Sequence, residues 1–151
     1  MGSYSKSKGR KENIKYVGGR PEFIQRSTVY KTLKGNELKV FDVLISQYNG
    51  YNNGNLTFPQ HKAKEYGLTE PTAIKGIKGL IEKGLIKKTT QGGRQKGIVS
   101  RYALTFYPID ECIDKQTGLS QHNEKPTTTA SNEWRDYNKH LTDLRAKNKK
   151  I

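Results

Sequence analysis

Cysteine is all but missing from this chain: Cys112 is the single one in 151 residues. No internal disulfide can form, and a reducing compartment suits the protein. Apolar residues make up only 32% of the sequence and the mean hydropathy is −0.91. A hydrophobic core is therefore expected in the middle of the chain, with looser ends. No apolar run approaches the roughly 20 residues that span a bilayer, and no signal-peptide core is evident. The expectation is a cytoplasmic, nucleoid-associated protein without membrane contact. Acidic residues are scarce too: 14 Asp and Glu face 28 Lys and Arg, for a formal charge of +14. Such an excess points to a polyanion, with nucleic acid ahead of a membrane surface.

Residues that carry chemistry are few and dispersed. His61, His122 and His140 have no cysteine or carboxylate at metal-ligand spacing. Cys112 lacks a neighbouring histidine or basic cluster to activate it. Asp110, Glu111 and Asp114 read as a solvated turn. Phosphate-binding loop, metalloprotease helix and nucleophile elbow are all missing. The sequence therefore reads as a non-enzyme, with neither metal nor cofactor.

What the sequence does contain is concentrated between positions 58 and 105. A short helix over about 59–66 leads into the turn Gly67-Leu68, and Thr69 follows as a natural N-cap. A second helix is expected over 70–83, ended by Gly84. Ile74, Ile77, Leu80 and Ile81 recur at helical spacing and should be buried. That leaves Thr72, Lys75, Gly76, Lys78 and Gly79 on the outer face. Two helices joined by a short glycine-containing turn make a helix-turn-helix, whose second helix enters the DNA major groove. Strands over 86–91 and 98–107 follow, joined by a basic glycine-rich tip at 92–97. The expected fold is thus α+β: a winged helix-turn-helix with a three-helix core and a β-hairpin wing, spanning 21–107.

On this reading Thr69, Glu70, Thr72, Lys75 and Gly76 are the candidates for reading bases. Lys62, Lys64, Lys78, Gly79, Lys87 and Lys88 are candidates for phosphate contact. Arg94, Gln95 and Lys96 would act from the wing at a minor groove.

Upstream, residues 1–20 read as a flexible basic arm, in which Lys6, Lys8, Arg10 and Lys11 would follow phosphates or enter a minor groove. A scaffold helix is expected over 37–48, capped by Asn36 and ended at Asn49-Gly50. Downstream, 108–130 reads as a linker, rich in Ser, Thr, Asn and Pro over 118–129. An amphipathic helix follows over 131–151. Its Trp134, Tyr137, Leu141 and Leu144 fall at spacings of three and four, a seam suited to a homodimer or a protein partner.

The central block resembles the winged helix-turn-helix domains of bacterial transcription regulators and of plasmid or phage replication initiators. It is more closely similar to small helix-turn-helix proteins carried on bacterial chromosomes and mobile elements. The residues that carry the resemblance are Tyr48-Asn49-Gly50, Asn52-Asn53-Gly54-Asn55-Leu56, Gly84-Leu85-Ile86, Thr90-Gln91-Gly92-Gly93-Arg94 and Tyr102-Ala103-Leu104-Thr105. Pro108-Ile109-Asp110-Glu111-Cys112, Pro126-Thr127 and Trp134-Arg135 extend it over most of the chain. The resemblance implies DNA binding with little assigned chemistry. Between Lys62 and Thr72 this chain departs from the group's longer and more basic pattern, so base contacts do not carry over.

Three functions fit these observations. One is a sequence-specific transcriptional regulator, a repressor binding double-stranded DNA as a dimer. Another is a replication-initiation or mobile-element factor with the same DNA-binding head and a C-terminal recruitment tail. The remaining one is a protein-interaction module that does not bind DNA.

Overall fold

The structure, a computed structural model, describes residues 16, 17, 19–92 and 99–149. The arm candidates Lys6, Lys8, Arg10 and Lys11 and the wing candidates Arg94, Gln95 and Lys96 lie outside the described residues. What is described is an α+β fold of several helices and a small antiparallel sheet.

A minimal hairpin comes first, β1 (Tyr16–Val17) against β2 (Arg20–Pro21). The Arg20 guanidinium pairs with Asp42, donates to the Tyr30 hydroxyl at 3.0 Å and lies over the Tyr30 ring. Two single-turn helices follow, α1 (Glu22–Gln25) and α2 (Thr28–Lys31). The Ser27 hydroxyl caps α2 by accepting from the Tyr30 N–H.

The scaffold helix α3 (Gly35–Gln47) starts one residue before Asn36, and Lys34 occupies the N-cap position without a side-chain bond. Asn36, the cap expected from the sequence, instead lies inside the first turn. There its side-chain amide donates to the Thr72 carbonyl of the neighbouring helix at 3.1 Å. A bond between two helices replaces a local one.

Leu56–Thr57 forms β3, and a 3₁₀ turn over Gln60–Tyr66 ends in a left-handed Gly67 with φ 74°. Helix α4 (Glu70–Glu82) begins with the Thr69 hydroxyl accepting from the Thr72 N–H, and Gly84 at φ 75° closes its far end. Both stops are local chemistry: a short oxygen side chain for the first free N–H groups, and a residue without Cβ for the left-handed exit. Strands β4 (Ile86–Thr90) and β5 (Arg101–Leu104) complete a sheet of order β3-β5-β4. Helix α5 (Trp134–Asn148) ends the described chain.

One core joins these parts. Ile24, Val29, Val40, Phe41, Leu44, Leu56, Leu80 and Leu85 are fully buried, with Ile86 and Leu104 nearly so. Each such side chain contributes about 1.5–3 kcal/mol relative to exposure. Every residue from Tyr102 to Tyr107 is buried, although alternation in the sequence suggests a strand open on one side. The second face is covered by the chain that follows.

That segment, 108–133, is not a loose linker. The Asp110 carboxylate accepts from the Asn53 N–H at 2.8 Å, and the Asp110 N–H donates back to the Asn53 carbonyl at 2.8 Å. Asn53 is fully buried. Its side chain donates to the Leu104, Tyr107 and Pro108 carbonyls and accepts from the Leu104 N–H. The Asn123 N–H reaches the Thr89 carbonyl and the Asn132 N–H reaches that of Thr105. Buried His122 stands over Gly54 and bonds the Asp110 carbonyl at 2.7 Å. With almost no regular structure, the segment is held by bonds to residues distant in sequence and by turns of its own.

The seam expected on the last helix is mostly used internally. Trp134 is 7% exposed, and its ring stacks on Phe23 at 6.0 Å. Tyr137 packs on the core, and the Asn138 amide oxygen accepts from the Val29 N–H. As partner contacts, Trp134 and Tyr137 are therefore corrected: they dock α5 on its own domain. Leu141 is half-buried, and Leu144 is exposed.

Candidate nucleic-acid interface

Helix α4 packs on α3 through Ala73, Gly76, Ile77 and Leu80, which are all buried. Glycine is what lets the two backbones approach. A Cβ added at Gly76 would stand 3.0 Å from the Asn36 carbonyl oxygen and 3.1 Å from Val40 Cγ2. One added at Gly79 would stand 2.8 Å from Glu37 Cδ. This corrects two candidates. Gly76 cannot read bases and Gly79 cannot bring phosphate close, because both face the scaffold helix.

The space at Gly79 holds a buried ion pair. Lys83 Nζ lies 2.6 Å from Glu37 Oε2 and donates to the Thr32 carbonyl at 3.0 Å, with the two side chains 11% and 5% exposed. This lock at the C-terminal end of α4, together with the Asn36–Thr72 bond at the other end, fixes the roll of α4 on α3.

With the roll fixed, Pro71, Lys75, Lys78 and Glu82 point to solvent, and Ile74 and Ile81 lie along the edge toward the sheet. Glu70 is exposed at the first turn. The Thr69 and Thr72 hydroxyls are 2.7 Å apart, so they are engaged with each other at the cap and are presented together. Of the base-reading candidates, Thr69, Glu70, Thr72 and Lys75 thus gather at the outward N-terminal half of α4, without Gly76.

Between α4, the Phe58–His61 corner and the ends of β4 and β5 runs an open groove of about 640 Å³. Ile74, Ile77 and Ile81 line one wall, and Val99 and Tyr102 the other. Lys78, Lys88 and His61 also border it. Burial holds the Tyr102 hydroxyl above the ordinary tyrosine range, a shift only partly offset by its bond to Ser100.

Strand alternation sends Lys87 and Lys88 to opposite faces of the sheet. Lys88 borders the groove and donates to the Gln91 side chain at 3.1 Å. Lys87 lies on the far face, where it pairs with Glu124 of the covering segment at 3.1 Å. Lys87 is therefore corrected as a phosphate contact: it is turned away from α4 and already has an acidic partner.

Lys62 and Lys64 are exposed on the 3₁₀ turn leading to α4. Beside them is a cation that sequence reasoning misses. Lys39 of α3 is exposed and places its ammonium 3.0 Å from where a Cβ on Gly67 would be. Its helical position marks it only as a solvated residue, and the juxtaposition with the turn exists only in three dimensions.

Taken together, the surface around the first half of α4 offers hydroxyls and a carboxylate at the helix start, cations on three sides, and an aliphatic edge. Such a surface can bind a polyanion while presenting hydrogen-bonding groups to its edges. Among the described residues no group of three or more His, Cys, Asp or Glu is placed to hold a metal ion. No described helix is long and apolar enough to cross a membrane. Neither models of protein families, nor curated proteins, nor solved structures give a match to this chain.

Proposed function

We propose that this chain is a winged helix-turn-helix protein that binds double-stranded DNA sequence-specifically and acts as a transcriptional regulator, a repressor that occupies its site. The observation that carries the reading is the fixed roll of α4: its packed face is glycine and aliphatic, its outer face presents Lys75 and Lys78, and its capped N-terminus is open. A helix of this kind, preceded by a left-handed glycine turn and flanked by a hairpin, fits the major groove. The chain's charge of +14 supplies the electrostatic attraction.

In the proposed complex the N-terminal half of α4 faces the base edges. Lys75 donates to guanine or to a phosphate, Glu70 accepts from cytosine N4, and the Thr69–Thr72 pair offers a hydroxyl. Lys39, Lys62 and Lys64 meet the backbone on the turn side, and Lys78 and Lys88 meet it across the groove. The wing candidates Arg94, Gln95 and Lys96 would act at the adjacent minor groove. These cations set register and affinity, and the helix N-terminus sets sequence. A second protomer would join through Leu141 and Leu144, the apolar part of α5 left open beyond its docked start.

Selection of bound duplexes from a random-sequence pool by the full chain, at stated salt, tests the proposal. Enrichment of a common motif, with two half-sites about one helical turn apart for a dimer, supports it. Recovery of an unenriched pool overturns sequence specificity, and the absence of any bound duplex overturns DNA binding in favour of a protein-interaction module.

A further inference from the structure

The edge of α4 that borders the groove carries two aliphatic residues that phosphate binding does not explain, Ile74 and the more exposed Ile81, and of these Ile74 is the nearer to the helix N-terminus. Ile74 is only half-buried and lies in the second turn, one turn from Glu70 on one side and from Lys78 on the other. Helix residues toward the N-terminus are those nearest base edges when a helix enters the major groove. An aliphatic side chain there can neither donate nor accept. It gains only if an apolar group covers it.

The surroundings narrow what that group is. Lys75 is its neighbour on the exposed face, and Lys78 and Lys88 border the groove beside it. An apolar peptide would have to cover those ammonium groups with only the neutral Gln91 side chain for Lys88 to bond, at a large desolvation cost. A duplex brings phosphates to the cations and, in the major groove, offers one apolar group of its own, the C5-methyl of thymine.

We propose that Ile74 is a specificity-determining residue that reads a thymine methyl, so that this surface prefers A·T pairs opposite the second turn of α4. The proposal rests on the DNA-binding reading above. Covering one methyl is worth about 0.8 kcal/mol, which is about fourfold in affinity.

The test uses two duplexes that differ only in that methyl, one of alternating A·T pairs and one of alternating A·U pairs, with binding to the full chain followed by fluorescence anisotropy at fixed salt. The wild-type protein should bind the A·T duplex about fourfold or more tightly than the A·U duplex. Ile74→Ala should bind both equally, with an unchanged circular dichroism spectrum, and Ile74→Val should keep part of the preference. Equal binding of both duplexes by the wild type overturns the proposal. So does a preference that survives Ile74→Ala, which would assign it to duplex shape. Failure to bind either duplex overturns the DNA-binding reading itself, and with it the proposal. Binding without methyl preference overturns only the role of Ile74.

Discussion

The Glu37–Lys83 pair gives the sharpest account of what holds α4 in its roll. Glu37→Gln leaves the Lys83 ammonium buried with only the Thr32 carbonyl and a neutral amide beside it. Removing one partner of a buried ion pair costs about 3–5 kcal/mol. For a chain of this size that lowers Tm by roughly 2–4 °C per kcal/mol, and so by about 10 °C.

The glycine at position 79 supplies an internal check. Alanine is favoured over glycine inside a helix by about 1 kcal/mol. In the native protein, however, the new Cβ would stand 2.8 Å from Glu37 Cδ and 2.9 Å from Oε1 and would press the carboxylate off Lys83. Gly79→Ala should therefore destabilise the native chain by about 1–2 kcal/mol, yet stabilise a Glu37→Ala background by up to about 1 kcal/mol. Trp134, the only tryptophan and a buried one, reports unfolding by fluorescence in urea. A cost below about 1 kcal/mol for Glu37→Gln, the ceiling for an exposed pair, would refute a buried lock at this position. The same sign for Gly79→Ala in both backgrounds would refute it equally.

Other consequences are as direct. Gly76→Ala, which brings a Cβ to 3.0 Å from the Asn36 carbonyl oxygen, should cost stability of about 1–3 kcal/mol by overpacking; urea unfolding showing a gain would contradict it. A chain ended after Tyr107 loses the Asp110 bond to Asn53, the Asn132 bond to Thr105 and the whole Trp134 side chain. Loss of a buried large aromatic alone costs about 3–5 kcal/mol, so the shortened chain should show no cooperative thermal transition near that of the full chain. Tyr102 keeps its proton to higher pH in the folded state than in the unfolded state, whose tyrosine ionises near pH 10. Its share of stability is therefore complete below pH 10 and falls as pH rises through the folded value. Tyr102→Phe should have a shallower stability loss above about pH 10 in denaturant titrations.

Some of this architecture is legible in local signals and some is not. Thr69 and Gly84 bound α4 because a cap and a left-handed exit are decided by the residues at the spot. The alternation of Tyr102, Leu104 and Phe106 likewise marks the strand region. The roll of α4 escapes a reading of helical spacing, because glycine carries no side chain and so no hydrophobic signature. Ile74 and Ile81 draw the expected buried stripe toward themselves, while the approach of α3 places it over Gly76 and Gly79. The 108–130 stretch reads as a linker since its composition is polar. Yet Asp110 bonds Asn53, His122 covers Gly54 and the Asn132 backbone bonds Thr105, partners far along the chain that meet only after folding. At the candidate interface, Lys75 and Lys78 are visible from helical spacing, whereas Lys39 beside the Gly67 turn and the turning away of Lys87 toward Glu124 depend on the tertiary arrangement.

The proposed function places duplex DNA on the outer face of α4. It is tested most directly by measuring the affinity of the full chain for a duplex across a range of salt, beside a Lys75→Glu, Lys78→Glu variant shown to be folded by circular dichroism. The wild type should bind tightly and with a steep salt dependence. In the variant, affinity should fall at least about 100-fold, and the salt slope should shrink by about one for each phosphate that is no longer neutralised. Equal affinity and an equal slope in the two proteins would contradict it.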